Sequence, residues 1–503
     1  MADPTDQDTP DRQAGERAVV NTAVLATGEV AGKLASFVLF AVLAREAGAA
    51  GLGDFLFALA WSQISITPVG LGADRYLLRR LAEDRQVLGD LMWGTFELKL
   101  WRSLLIVAVS FGAVNLLGYD MEVRVAVYVL TAGMLLESLG YTVMHVFGAF
   151  ERGGLAAVGV VAQRMTAAAL GLTALAFGYG IVAVSIAFLI GAAVRLAISL
   201  RALRRHIGMP RPVFSTRARR ELRSRGLPFA AQDILGLVLD KLDILILSFL
   251  ASSAVVGLYG AAYRLLEATT FVAFSLAGAF SAQYTYLRHD TRPPVREVFG
   301  RSLKLSLLLL TPIAVAYATL AEPLCRLFFG SDLVGAAEPL RLLAPVVVLY
   351  ALGVLSSSLV VSRRDPRVIV IVIGVGVLLN VGLNFALIPS LEANGAAAAM
   401  LIAELVLVAA AVTIALRTVG GIPALSTVAA PALGGGAMAI VTLLLSEHLT
   451  AALVAGAATY LCACVAVDLK ASPADVRSAR DLIRRRARRL LLARPMAAGR
   501  DRQ

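Results

Sequence analysis

Charge is scarce in this chain. Of its 503 residues only 16% are Asp, Glu, Lys or Arg, where a soluble protein of this size uses about a quarter to cover its surface. That deficit excludes an ordinary soluble globular fold. Cysteine is almost absent: Cys325, Cys462 and Cys464 all lie in apolar stretches. The C-x-C spacing of the last two matches neither a zinc site nor a thioredoxin motif, so the three read as small packing residues. Four histidines and no HExxH, P-loop, nucleophile elbow or Gly-rich nucleotide loop leave no expected catalytic centre, metal site or cofactor. The polar N-terminus MADPTDQDTPDRQAGER lacks the charged n-region and cleavage site of a secretory signal, so the first apolar span is expected to be retained.

What is abundant is apolar sequence, 58% of the chain. A helix needs about 20 apolar residues to cross a bilayer, and roughly fourteen such windows follow one another, the thirteenth and fourteenth being Ala/Gly-rich and short. The predicted fold is therefore all-α, a polytopic membrane protein of about 14 transmembrane helices, with twelve- and thirteen-span counts still open. The loops between spans alternate. Arg75, Arg79, Arg80 and Arg85 follow the second span, Arg152 the fourth, and nine arginines between Arg201 and Arg225 the sixth. Arg288, Arg292 and Arg296 follow the eighth, Arg363, Arg364 and Arg367 the tenth, and Arg417 the twelfth. The intervening loops, at 47–51, 178–180, 251–254 and 389–395, carry almost no basic residues. The positive-inside rule then predicts that the arginine loops and both termini face the cytoplasm. The net charge of +12 is explained by this inner-leaflet arginine, with no interleaved aromatics to suggest nucleic acid.

The predicted organisation is a disordered tail at 1–17, a six-helix lobe at 18–200, a basic hinge at 201–226 with a short surface helix near 216–225, and a second six-helix lobe at 227–417. Two further spans at 418–468, read as peripheral and lipid-facing, and a basic tail at 469–503 complete it. For that tail, an amphipathic helix on the inner leaflet and a disordered topogenic segment are equally open. Gly53–Leu59 (GDFLFAL) resembles Gly257–Tyr263 (GLYGAAY), each opening the second span of its half, which supports an internal duplication.

Ionisable groups inside spans cost several kcal/mol unless paired or hydrated, and so mark cavities. Span one holds Glu29 and Lys33, four apart on one face; span three begins with Glu97, Lys99 and Arg102; span four holds Glu137 and His145. Gln163 and Arg164 lie in span five, Arg195 in span six, Gln232, Asp233, Asp240, Lys241 and Asp243 in span seven, Arg264 and Glu267 in span eight. Lys99, Arg102 and Arg195 are near enough to the arginine-rich side to snorkel. Glu29 with Lys33, and Arg264 with Glu267, are equally readable as internal pairs that only lock packing. His145 reads as a satisfied packing histidine. Lys33, Arg164, Asp240, Lys241 and Arg264 resist such explanations, because apolar residues extend well to either side of most of them.

The segments REAGAAGLGDFLFALAW…GLGADRYLLRRLA (45–82) and LDKLDILILSFLASSAVVGLYGAAYRLLEA (239–268) resemble the polysaccharide transporter family. These are O-antigen-type flippases of lipid-linked oligosaccharide within the multidrug/oligosaccharidyl-lipid/polysaccharide exporter superfamily. The pattern Asp243, Val256, Gly257, Tyr259, Arg264, Leu265 looks like the start of that family's second half, and the likeness spans most of 20–417. Peptidoglycan lipid II flippases are disfavoured, since GLGADRYLLRRLAEDRQ departs from their pattern. A cation-coupled multidrug antiporter of the same superfamily and a non-transporting scaffold are the alternatives. The resemblance implies two lobes that open alternately, in the cytoplasmic membrane of a prokaryote, with polysaccharide polymerase and glycosyltransferases as possible partners. A diphosphate head group crossing a low-dielectric core needs cations to replace its lost solvation. Lys33, Arg164, Lys241 and Arg264 are accordingly the expected substrate partners. Asp240, Asp243 and Glu29 are candidates for ion coupling, with pairing of Asp240 and Asp243 to Lys241 and Arg264 equally open. No large hydrophilic loop exists to house an enzyme, so catalysis is not expected.

Overall fold

A computed structural model describes residues 9–70, 72–213, 215–286, 295–364, 367–421 and 426–471. The side chains of Glu29 and Asp240, and the tail beyond residue 471, lie outside the described residues. Everything described is helix or short turn, as expected where no water is present to satisfy a bare backbone. In chain order the helices are α1 (Thr9–Gly70), α2 (Ala73–Glu83), α3 (Leu88–Leu116), α4 (Met121–Ala149), α5 (Gly153–Ala176), α6 (Ile181–His206) and α7 (Thr216–Leu250). They continue as α8 (Ser253–Tyr286), α9 (Val295–Thr319), α10 (Ala321–Phe329), α11 (Ala337–Arg363), α12 (Arg367–Val419), α13 (Ser426–Leu444) and α14 (Leu449–Ala471). Nine described helices are long and apolar enough to cross a membrane. The chain is a multi-pass membrane protein.

Two of the charge-poor loops shrink to a single residue. Within α1 the helix breaks only at Gly48, with φ 67°, a backbone that glycine adopts without a steric penalty. Within α12 the break is Glu392, with φ 49°, three residues after Pro389. The predicted turns at 47–51 and 389–395 are therefore sharp corners in otherwise continuous helix. Helix also begins at Thr9, inside the stretch expected to be a disordered tail. The surface helix expected near 216–225 is the first part of α7, which runs on without a break to Leu250.

The chain divides into two compact units. One comprises Met1–Ala268, Cys325–Leu343 and Val370–Ala403; the other Thr269–Leu324, Ala344–Ile369 and Glu404–Gln503. In the first, α2 and the start of α7 lie on α3, α4 and α6 around Leu77, Leu81, Met92, Phe147, Leu203 and Leu222. Tyr76 of α2 donates to Glu221 of α7, and burial together with that carboxylate pushes the phenol's pKa up. The repeated glycines meet back to back: a Cβ on Gly53 would lie 1.8 Å from the Ser253 carbonyl oxygen, and one on Gly257 1.8 Å from the Ala49 carbonyl oxygen. Such contact between helix backbones is open only to glycine. Asp54 accepts a hydrogen bond from Ser253 at the same crossing.

In the second unit α13 and α14 pack on α9 through Ala316, Ala430, Met438, Tyr460 and Cys464. A Cβ on Gly434 would sit 2.6 Å from Cys464 Sγ. Lys304 Nζ lies 2.7 Å from Asp468 Oδ1, Tyr460 donates to the Leu308 carbonyl at 3.0 Å, and the Thr319 and Thr442 hydroxyls are 2.9 Å apart. Val454 and Leu461 face outward, but the opposite face is tied to α9 by polar bonds.

The glycine crossing gives a stability prediction. Overpacking a closed contact costs about 1–3 kcal/mol, and Gly257→Val should lower the thermal midpoint in detergent by about 3–10 °C. Gly112→Ala, where a Cβ meets nothing within 4 Å, should leave it unchanged. Fluorescence-detected size-exclusion after heating reads both.

Candidate functional site

Three of the four cations singled out by sequence converge in the first unit. Arg264 of α8 bonds Glu267 one turn along at 2.5 Å, and its guanidinium lies 3.8 Å from the Phe40 ring centre. Lys241 of α7, almost fully buried, is 3.7 Å from the other Glu267 oxygen and 5.4 Å from the Tyr263 ring centre. Lys33 of α1 also acts electrostatically on Glu267. One carboxylate thus gathers cations from three helices. The Arg264–Glu267 pair read from its spacing is real, and it is larger than a pair.

Arg164 stands on the same stretch of α1. A Cβ on Gly32 would lie 3.0 Å from Arg164 Cδ, so the missing side chain next to Lys33 lets the arginine stem lie on the helix. Its Nη1 is buried and has no hydrogen-bond partner among the described residues. A guanidinium donor left this way costs about 1–3 kcal/mol or more until an acceptor reaches it. Gly32 and Phe40 are about two turns apart on α1.

Asp243 accepts hydrogen bonds from α8 and α12. It is 3% exposed, accepts from Tyr259 at 3.0 Å and from Asn384 Nδ2 at 2.7 Å. Asn384 also donates to Asn380 Oδ1 at 3.0 Å, while its own Oδ1 is buried with no donor among the described residues. Neither asparagine was singled out by sequence, because intramembrane charge was the criterion there. Their shared face, four apart on one helix, is visible only once Asp243 is known to reach it.

The snorkelling explanation for Lys99 and Arg195 is wrong. Lys99 is 1% exposed and uses all three ammonium protons, on Asp74 Oδ2 at 2.7 Å, the Ser138 carbonyl at 2.6 Å and Thr142 Oγ1 at 3.0 Å. Arg195, 2% exposed, bonds Gln163 at 3.0 Å and Glu137 at 3.3 Å and lies 4.3 Å from the Tyr141 ring centre. Both point into protein because acceptors inside the bundle replace water better than a reach to the interface. Arg102, half-buried, donates to the Val69 carbonyl at 3.3 Å. His145 Nδ1 lies 2.8 Å from the Tyr141 carbonyl, the satisfied packing role expected of it. Among the described residues no cluster of His, Cys, Asp and Glu could hold a metal ion.

The family model described as polysaccharide biosynthesis protein matches residues 18–280, more than half of the chain. The chain belongs to this family. A second model, MatE, matches residues 228–386, which places the family within the exporter superfamily that the repeated segments resemble. A protein named "probable low-salt glycan biosynthesis flippase" from Haloferax volcanii is 25% identical over 71% of this chain and 74% of its own length. A "probable lipid II flippase" from Rhizobium meliloti is 32% identical over 21% of each chain. The solved inward closed structure of a lipid II flippase superposes with a TM-score of 0.77 at 15% identity, covering 92% of this chain and all of that one. The family set aside on its motifs therefore shares the fold with this one.

Removing Asp74 while Lys99 stays buried should cost about 3–5 kcal/mol, seen as a large drop in thermal midpoint for Asp74→Ala. Adding Lys99→Met should restore a good part of it. A double variant as unstable as the single one would show that the ion pair is not what anchors α2 to α3 and α4.

Proposed function

We propose that this protein is an alternating-access flippase that carries polyprenyl-diphosphate-linked oligosaccharide from the inner to the outer leaflet of a prokaryotic cytoplasmic membrane. The observation that carries the reading is the buried Nη1 of Arg164, without an acceptor among the described residues, on the same helix α1 that carries Lys33. A diphosphate supplies the acceptors that such donors need, bidentate to arginine and as a point-charge partner to lysine. Lys33, Arg164, Lys241 and Arg264 are the proposed head-group residues. Glu267 holds Lys241 and Arg264 in place when no substrate is bound. The names borne by the Haloferax and Rhizobium relatives support the substrate class.

Fourteen spans are proposed for the membrane topology. Splitting α1 at Gly48 and α12 at Glu392 yields the extra crossings, with α2 and α10 as short non-spanning helices. Both termini and the arginine loops then face the cytoplasm. Ion coupling, considered for Asp240, Asp243 and Glu29, is assigned among described side chains to Asp243, with Asn380 and Asn384 beside it. A polymerase and glycosyltransferases of the same glycan are the proposed functional partners. The role is transport, with no chemical step.

Losing one charge-assisted hydrogen bond to the head group is worth about 1.5–3 kcal/mol, or about ten- to a hundredfold. Arg164→Ala and Arg264→Ala should each lower surface polysaccharide by that order at unchanged protein level. Full polysaccharide in both variants would overturn the assignment. Raised sensitivity to cationic drugs without a polysaccharide defect would point to drug export instead.

A further inference from the structure

One stripe of α4 changes character along its length. Val123, Val127, Leu130, Glu137, Tyr141 and His145 follow at spacings of three, four and seven, so they share a face. Near the start of the helix the stripe is closed: Val123, Val127 and Leu130 are 3%, 0% and 0% exposed. There α1 lies over it, with Ser62 Oγ 3.3 Å from the Val127 carbonyl and Thr131 Oγ1 3.1 Å from Ser62 Oγ. Toward the arginine-rich end the stripe opens. Tyr141 is 41% exposed and the Glu137 side chain 19%, while Val143 and Val146 on the back of the helix stay buried with residues of α2. On α5 the stripe that carries Arg164 closes toward the same end, at Ala168 and Leu175. A carboxylate and an imidazole on an open stripe call for water rather than lipid, so the opening is a hydrated cleft within this unit.

Three helices fix the polar groups of that cleft. Glu137 Oε2 accepts from Gln163 Nε2 of α5 at 3.0 Å, and Oε1 from Arg195 of α6 at 3.3 Å. A carboxylate offers about four lone-pair sites, so both oxygens keep capacity on the open side. Arg195 also covers one face of the Tyr141 ring, 4.3 Å from its centre. Among the described residues no ring or cation covers the other face. Arg164 is the residue after Gln163, and its charge reaches the Tyr141 phenol.

A pinned aromatic ring with one bare face, a carboxylate one turn along and an arginine beside them suit one ligand chemistry. The face of an aromatic ring is negative and attracts the C–H face of a pyranose. The carboxylate accepts from sugar hydroxyls in charge-assisted bonds. We propose that Tyr141 and Glu137 form a saccharide subsite for the sugar joined directly to the diphosphate held by Arg164. The subsite rests on the transport role and on Arg164 as a head-group residue. Because Arg195 already holds the ring, little further ordering opposes binding.

Native mass spectrometry of the full chain in detergent reads the subsite. The probes are undecaprenyl diphosphate and its glucose-, galactose- and N-acetylglucosamine-linked forms. The tightest of the sugar-linked lipids should bind about tenfold or more better than the bare lipid. Tyr141→Leu should cut that gain to about threefold or less, with affinity for the bare lipid and the thermal midpoint unchanged. Tyr141→Phe, which keeps the ring, should keep the gain. Arg164→Ala should weaken the bare and sugar-linked lipids by the same factor. A bare lipid that binds through Arg164 as well as every sugar-linked form overturns the subsite and leaves the head-group assignment standing. A bare lipid that does not bind at all overturns both. An undiminished gain in Tyr141→Leu also overturns the subsite. If that variant does not fold, 3-fluorotyrosine at position 141 decides: its fluorine resonance should move with the sugar-linked lipid and stay with the bare one. A resonance that both lipids move alike overturns the proposal.

Discussion

A charge placed among hydrocarbon must be answered inside the protein, and the helices of this chain are arranged around those answers. Lys99 draws Asp74 of α2 and the middle of α4 onto α3. Arg195 of α6 holds Glu137 of α4 and Gln163 of α5. Lys304 of α9 holds Asp468 of α14. Each is a contact between helices that apolar packing alone would leave free to slide, because lipid solvates Leu and Val as well as another helix does. The polar bonds therefore set register, while small residues set distance. Where Gly53 and Gly257 cross, no side chain keeps the backbones apart.

The same pressure explains why the repeated motif is a glycine motif. Gly53 and Gly257 sit at corresponding places in the two similar segments, each against the chain just before the other one. A substitution in either half collides with the carbonyl of the other. The resemblance between GDFLFAL and GLYGAAY is thus a shared steric requirement as well as a possible trace of duplication. The corners at Gly48 and Glu392 serve a related end, turning the chain in one residue where a longer charged loop would have had to be solvated.

Much of this was legible in the sequence. Scarce charge and regular apolar windows give an all-helical membrane protein, and the family follows from segments around 45–82 and 239–268. Pairs at helical spacing, such as Arg264 with Glu267, can be read directly because three residues return to the same face. Partners far apart cannot. Lys99 and Asp74 are 25 residues apart and Asp243 and Asn384 141, and no periodicity relates them. Asp74 looked like part of a basic loop because α2 is short and polar. Lys99 and Arg195 looked like interface residues because position along a span says nothing about which way a side chain turns. Asn380 and Asn384 carry no charge, so a search for intramembrane charge passes over them.

What separates a structural cation from a ligand-binding one is whether its donors are spent. An ammonium has three protons and a guanidinium five. Lys99 places all three of its protons on oxygen, and Arg195 is covered by Glu137, Gln163 and an aromatic face. Lys99 has nothing left to offer a substrate, and neutralising either one would loosen the fold. Arg164 is different: its stem is held by Gly32, yet Nη1 is buried and idle. A fold that fixes a guanidinium in place while leaving Nη1 without an acceptor among the described residues keeps a local instability that a bound anion would remove. That instability is a driving force for binding, since the donor gains in the complex what it lacks in the free protein. Because the gain is conditional on the anion being present, it can couple the arrangement of α1 and α5 to substrate in a way that the saturated Lys99 cannot.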